Sequence, residues 1–166
     1  IKGIGDLKQM IRKFTFLASL KTGKTAFNYR NVSVKTAFGD FVKAKGEQIK
    51  AKNLQINLPA TDLAIKSDSE RLTFVIEGII DNAIKFSKAN GQIDVTWQRK
   101  DNEIELIVED DGVGMAEEAQ KLLFKPFTRG TSTLKFDYEG MGTNLYISKM
   151  IVNYLGGDIK VESKIN

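Results

Sequence analysis

Hydrophobic and polar positions change period several times along the chain, and each change predicts an element. Apolar residues at Ile4, Leu7, Ile11, Phe14 and Ala18 follow a three-four spacing, which predicts an opening helix with the narrow seam of bundles and coiled coils. Thr22-Gly23 interrupts it. Ala26 to Arg30 reads as a short strand. Val34 to Lys50 reads as one amphipathic helix that buries Val34, Phe38, Phe41, Val42 and Ile49 and turns Lys43 to Glu47 to solvent. Short strands are expected at Leu54 to Leu58 and Leu63 to Ile65, either side of Pro59. Ser67-Asp68-Ser69-Glu70 has the form of a capping box, and it starts a helix to about Phe86 with Leu72, Val75, Ile76, Ile79 and Ala83 as core stripe. Gly78, Asn82 and Lys85 stand at i, i+4 and i+7 and form a second stripe pointing away from that core.

The second half opens on a two-residue period. Ile93, Val95 and Trp97 alternate with polar neighbours, and Ile104, Leu106 and Val108 alternate with Glu103, Glu105 and Glu109. Joined through Arg99-Lys100-Asp101-Asn102, they predict an antiparallel hairpin with Trp97 in the core. The second strand breaks into Asp110-Asp111-Gly112-Val113-Gly114-Met115. A short helix is expected over Ala116 to Phe124, a lid or loop without periodicity over Lys125 to Gly142, a helix over Leu145 to Leu155 ended by Gly156-Gly157, and a closing strand at Asp158 to Val161.

Three places on this scaffold carry candidate chemistry. Two glycines at alternate positions let backbone approach a ligand, and a carboxylate fixed beside them accepts a hydrogen bond from an exocyclic amine, so Asp110 to Gly114 suits a planar base such as adenine. Asp-Gly pairs also mark ordinary turns. Asn82 and Lys85 suit a magnesium and phosphate contact as well as they suit plain surface positions. Glu139-Gly140-Met141-Gly142-Thr143-Asn144 leads straight into a helix, where free backbone N–H groups and the helix dipole make an anion site; the alternative is a mobile loop followed by an Asn N-cap.

Composition narrows the classes. A chain of 166 residues accommodates one domain with an appendage. The net charge of +4 comes from interspersed lysines and carboxylates and gives no reason to expect nucleic acid. There is no cysteine for disulfides or thiolate metal sites, and no apolar run long enough for a membrane span, so a cytoplasmic setting is expected without membrane contact by these residues, the cytoplasmic part of a membrane-anchored sensor included. The chain has no histidine, so any histidine chemistry must come from another segment.

Taken together and in order, Asp81-Asn82-Ala83-Ile84-Lys85-Phe86-Ser87, Asp110-Asp111-Gly112-Val113-Gly114, Leu123-Phe124-Lys125-Pro126-Phe127 and Gly140-Met141-Gly142-Thr143-Asn144-Leu145 resemble the asparagine, first glycine, phenylalanine and second glycine boxes of the catalytic ATP-binding domain of sensor histidine kinases. The resemblance covers residues 24–166, and residues 1–23 resemble the end of the second dimerisation and phosphotransfer helix. It implies an α/β two-layer sandwich of three helices on a mixed, mainly antiparallel sheet, the Bergerat-type fold shared with gyrase, heat-shock-90 and mismatch-repair ATPases, preceded by one bundle helix. It further implies ATP and Mg²⁺ as cofactors, with Asn82 at the metal, Lys85 at phosphate and Phe86 beside the nucleotide. Asp110 is expected at the adenine amino group, with Gly112, Gly114 and Met115 around the base. Phe124 and Phe127 are expected to seat the lid, Arg129 to neutralise γ-phosphate charge, and Gly140, Gly142, Thr143, Asn144 and Leu145 to line the phosphates.

The implied partners are the protein's own dimerisation and histidine phosphotransfer domain, a response regulator, and a second copy in the full-length homodimer. Three positions depart from the pattern: Gly78 stands where most sensor kinases carry a further Asn, Thr143 where they carry a leucine, and Asn144 where they carry a third glycine. The hydrolytic relatives place a water-activating glutamate at the position of Gly78, so hydrolysis of that type is disfavoured. A degenerate regulatory module of the same fold and an anti-sigma-type serine kinase are the alternatives.

Overall fold

The computed structural model describes residues 11, 14–23, 25–101, 103–126 and 143–165. Helix α1 (14–21) leads to strand β1 (Tyr29–Ser33), helices α2 (Val34–Ala44) and α3 (Gly46–Ala51), and strands β2 (Gln55–Asn57) and β3 (Ala64–Asp68). Helix α4 (Ser69–Phe86) is followed by the hairpin β4 (Gln92–Lys100) and β5 (Glu103–Asp110), then α5 (Glu117–Leu122) and α6 (Asn144–Tyr154).

The helix expected over residues 34–50 is broken at Lys45. Gly46 has poor helix propensity, and the Lys45 ammonium bonds Asp81 on α4 at 2.5 Å, so the break sits where a lateral contact replaces helical continuity. The cap of α4 also moves by one residue. Ser67 pairs with Arg30 inside the β1–β3 ladder, and Asp68 becomes the N-cap, accepting from the Arg71 N–H at 3.1 Å and the Asn28 N–H at 2.8 Å.

The strands form two sheets rather than one. β1 and β3 pair antiparallel, while β2 runs parallel to β4 (Ile56 opposite Ile93) and β4 antiparallel to β5 (Ile93 opposite Asp110, Lys100 opposite Glu103). Residues 157–165 are not in a strand. The polar groups of Ser163 meet Met115 N–H and the Gln120 side chain instead of a ladder.

Two apolar clusters meet on α4. Phe38, Leu72, Ile76, Ile80, Ile93, Val95 and Trp97 form the larger, between helices and sheet, with the Trp97 indole N–H donating to Thr61 O at 3.0 Å. Leu17 and Leu20 of α1 join Val75, Ile147 and Ile151 in the smaller one, against which Ile79 is partly buried. The expected seam of α1 is therefore not the face that packs here: Leu17 and Leu20 are buried, whereas Ile11 (57%) and Phe14 (37%) are exposed, as is Ala18. Ile4 and Leu7 lie outside the described residues.

Candidate functional site

Helix α4 is the wall against which the candidate residues gather. Its last two turns carry Asn82 and Lys85, both half-buried, and Phe86, which is 48% exposed with the Lys85 ammonium 5.9 Å from its ring centroid. Lys45 pairs with Asp81 and fixes the residue next to Asn82.

The first glycine turn docks on the carbonyl end of α4. β5 delivers Asp110 at its tip, and the Asp110 carboxylate accepts the Gly112 N–H at 3.0 Å, closing the turn on itself. Val113 N–H donates to Phe86 O at 3.3 Å. Gly112 is buried so tightly that a Cβ there would lie 2.7 Å from Phe86 O and collide with the Asp110 carboxylate. Gly114 has φ +67°, and a Cβ on it would run into Lys164 O, so a glycine is required on both counts. Met115 is held by its N–H on Ser163 Oγ at 3.0 Å, and Gln120 bridges Met115 O (3.0 Å) and Ser163 O (2.7 Å).

The start of α6 approaches the same helix one turn before Asn82. Gly78, expected to point away from the core, is buried at the crossing of α4 and α6: a Cβ there would stand 3.2 Å from Ser148 Oγ and 4.0 Å from Asn144 Cβ. A glycine lets the two helices come this close. The N-cap of α6 is Thr143, buried, and Asn144 is the first helical residue rather than the cap; the Thr143 side chain makes no capping hydrogen bond. Leu145 is half-buried in the first turn. Phe124, half-buried after α5, lies 5.2 Å from the Lys149 ammonium of α6, which also bonds Asp158 and Ile159 O (2.6 Å). Hydrogen bonding to Lys149 holds the Asp158 carboxyl below its ordinary range. Phe127, Arg129, Gly140 and Gly142 lie outside the described residues.

Asn82, Lys85 and Phe86 thus lie on α4, and Asp110, Gly112 and Asn144 on two segments that touch it. Lys52 donates to Ile84 O and Lys85 O at the end of α4, Ser163 and Gln120 brace Met115, and Lys149 lies over Phe124; sequence reasoning missed all four, because hydrophobic periodicity gives no signal for such polar contacts. An open depression lined by Arg30, Ser33, Thr36, Asp40, Ser69 and Thr73 lies at the opposite end of α4 and shares none of these residues. Among the described residues no three Asp, Glu, His or Cys side chains converge on a point. A magnesium ion carried in by phosphates needs only one or two protein oxygens, and the Asn82 amide offers one.

Residues 67–166 match the family described as histidine kinase-, DNA gyrase B-, and HSP90-like ATPase. The chain belongs to this ATPase family. Within the family, sensor kinases are the similar proteins: the circadian input-output histidine kinase CikA of Synechococcus elongatus is 27% identical over 99% of the chain, which spans 23% of that protein's length. The histidine kinase AdeS of Acinetobacter baumannii superposes with TM-score 0.80 at 25% identity, covering 98% of this chain and 74% of that one. Full-length ShkA, solved with AMPPNP, superposes with TM-score 0.79 at 21% identity over 97% of this chain and 34% of its own. The histidine kinase-, gyrase- and HSP90-like domain is a nucleotide-binding one, and here it has the form found in the ATP-binding cores of two-component sensor kinases. No described helix is long and apolar enough to cross a membrane.

Proposed function

We propose that this domain binds magnesium-ATP between α4, the first glycine turn and the start of α6, and presents the γ-phosphate to a histidine of another segment, as the kinase core of a two-component sensor. The observation that carries the reading is the docking of two separate ligand-type segments on one helix: the Asp110–Gly114 turn through Phe86 O, and the Thr143–Asn144 helix start at Gly78. An acid on the turn at the carbonyl end of α4 and the N-terminus of α6 against Gly78 of the same helix suit a purine with a polyphosphate tail.

In this reading Asp110 accepts from the adenine amino group, Gly112, Gly114 and Met115 admit the base, and Phe86 flanks it. Asn82 holds Mg²⁺, which screens phosphate charge when bound, and Lys85 contacts phosphate. Thr143, Asn144 and Leu145, with Gly140 and Gly142, present backbone N–H groups. Phe124, seated under Lys149, and Phe127 anchor the lid, and Arg129 neutralises charge on the γ-phosphate. An imidazole nitrogen then attacks γ-phosphorus in line and ADP leaves with the bonding electrons. This chain's residues contribute position and charge rather than a covalent intermediate.

Residues 1–23 belong in this reading to the dimerisation and phosphotransfer region, and residues 24–166 to the catalytic domain. The exposed Ile11, Phe14 and Ala18 face suits a further helix of that region. The chain has no histidine, so the acceptor comes from elsewhere in the full-length protein, which would act as a homodimer in the cytoplasm with a response regulator downstream.

Mixing the domain with a separate histidine-bearing helical hairpin and γ-labelled ATP tests the assignment. Acid-labile label on the hairpin is expected. Absence of transfer at saturating ATP refutes the kinase assignment, and binding without transfer favours a regulatory nucleotide-binding module, a reading supported by Gly78 at a position where most sensor kinases carry a polar residue.

A further inference from the structure

An α-helix leaves its last four carbonyls without intrahelical donors. At the end of α4 all four are met. Ala83 O accepts the Ser87 N–H (2.9 Å) and hydroxyl (2.6 Å). Ile84 O and Lys85 O accept the Lys52 ammonium at 2.9 and 2.7 Å, and the same ammonium reaches Ser87 O at 3.1 Å. Phe86 O accepts Val113 N–H from the first glycine turn. One lysine thus serves two of the four carbonyls, and its charge stands at the negative end of the helix dipole.

Lys52 is itself held in place. It caps α3, its carbonyl accepts the Asn90 N–H at 2.8 Å, and the next residue, Asn53, with φ +51°, donates its amide to Asn90 Oδ1 at 2.8 Å. The ammonium is therefore delivered from a stitched pair of loops. Because Gly112 packs on Phe86 O with no room for a Cβ, a shift of the last turn of α4 passes directly to the turn that bears Asp110.

We propose that Lys52 is a positioning residue of the nucleotide site. It touches no ligand. It fixes the carbonyl end of α4 so that Lys85 and Phe86 on the helix, and Asp110 and Gly112 on the turn, face each other at one spacing. The inference rests on the nucleotide-binding reading above.

The test compares Lys52→Met, which keeps the stem and removes the ammonium, with Lys52→Arg, which keeps charge and donors. Affinities for ADP and ATP are measured by calorimetry, amide exchange of Val113 by NMR without nucleotide, and stability by thermal melting. Lys52→Met is expected to weaken both nucleotides alike by at least about tenfold, about 1.4 kcal/mol, because both share the base that the turn receives. Val113 exchange accelerates in the same variant, and Lys52→Arg recovers most of both effects. A Lys52→Met protein with a lower Tm but wild-type affinity has lost only stability, and overturns the inference. Equal impairment of the Met and Arg variants overturns it too, since the ammonium is then not the cause. Wild-type protein that binds neither nucleotide refutes the nucleotide reading itself, whereas wild-type binding with an unaffected Lys52→Met variant refutes the positioning role alone.

Discussion

Gly112→Ala places one methyl group at the tightest point of the candidate site. The new Cβ would lie 2.7 Å from Phe86 O and 3.1 Å from Phe86 C, both backbone atoms at the end of a buried helix, and would collide with the Asp110 carboxylate. Neither neighbour yields cheaply. If the turn moves away, it strains the Val113 N–H to Phe86 O bond, already 3.3 Å long and worth about 0.5 kcal/mol at the low end of the range for neutral pairs. If the carboxylate swings aside, it gives up the Gly112 N–H, a bond to a charged group worth about 1.5 kcal/mol at an exposed position such as Asp110. Residual overpacking adds about 1–2 kcal/mol.

Relieving both clashes sums to about 3–4 kcal/mol, concentrated in the placement of Asp110 relative to α4, which converts to a loss of about 100- to 1,000-fold in affinity for ATP. Calorimetric titration with ATP reads this directly, and far-ultraviolet circular dichroism confirms that the fold persists. Gly39→Ala is the internal control: its Cβ meets nothing within 4 Å in the interior of α2, so it should stabilise by about 0.5–1 kcal/mol and leave affinity unchanged. A Gly112→Ala protein that binds ATP within about threefold of wild type, a difference under about 0.7 kcal/mol, would show that the turn does not receive the nucleotide.

Asp110→Asn keeps an oxygen for Gly112 N–H but turns an NH₂ group toward a donor on the base, so ATP affinity should fall by about 1–3 kcal/mol with little change in Tm; unchanged affinity means the base is read elsewhere. Asp68 gives a pH signature. Burial alone would raise its pKa, but the amide donors of Asn28 and Arg71 and the Arg71 charge outweigh it and lower the carboxyl below its ordinary 3.8. A depressed carboxylate stabilises the fold above the unfolded value and loses that contribution as pH falls through the folded one. Asp68→Asn should therefore cost about 1 kcal/mol in urea unfolding at neutral pH, through weaker bonds to the same two N–H groups, and almost nothing well below 3.8. A gap between the two proteins that stays constant with pH would exclude the carboxylate as the cause.

Periodicity made most elements legible. The antiparallel hairpin, the Trp97 core position and the long helix carrying Asn82 and Lys85 all follow from local spacing, because strand alternation and helical stripes are short-range consequences of burial, although Arg99 and Lys100, read as connection, pair with Ile104 and Glu103. What local spacing could not give is what depends on packing at a distance. Lys45 was read as a solvated face and instead bonds Asp81 on another helix. Gly78 was read as part of an outward stripe, since the spacing of a single helix does not say that a second helix will cross there. The closing strand expected at Asp158 to Val161 is absent, and Asp158 and Ile159 O bond the Lys149 side chain of α6 instead of a ladder. The family was legible as an ordered set of motifs, and the contacts that Lys52 and Lys149 make around them were not.

Helix α4 has one cluster of side chains on the sheet side and another on the side of α1 and α6, and Asn82 follows Val75 and Ile79 of the second cluster toward the carbonyl end. Such a helix has little tolerance for sequence drift, because a change of residue volume on either flank rotates the face that carries Asn82.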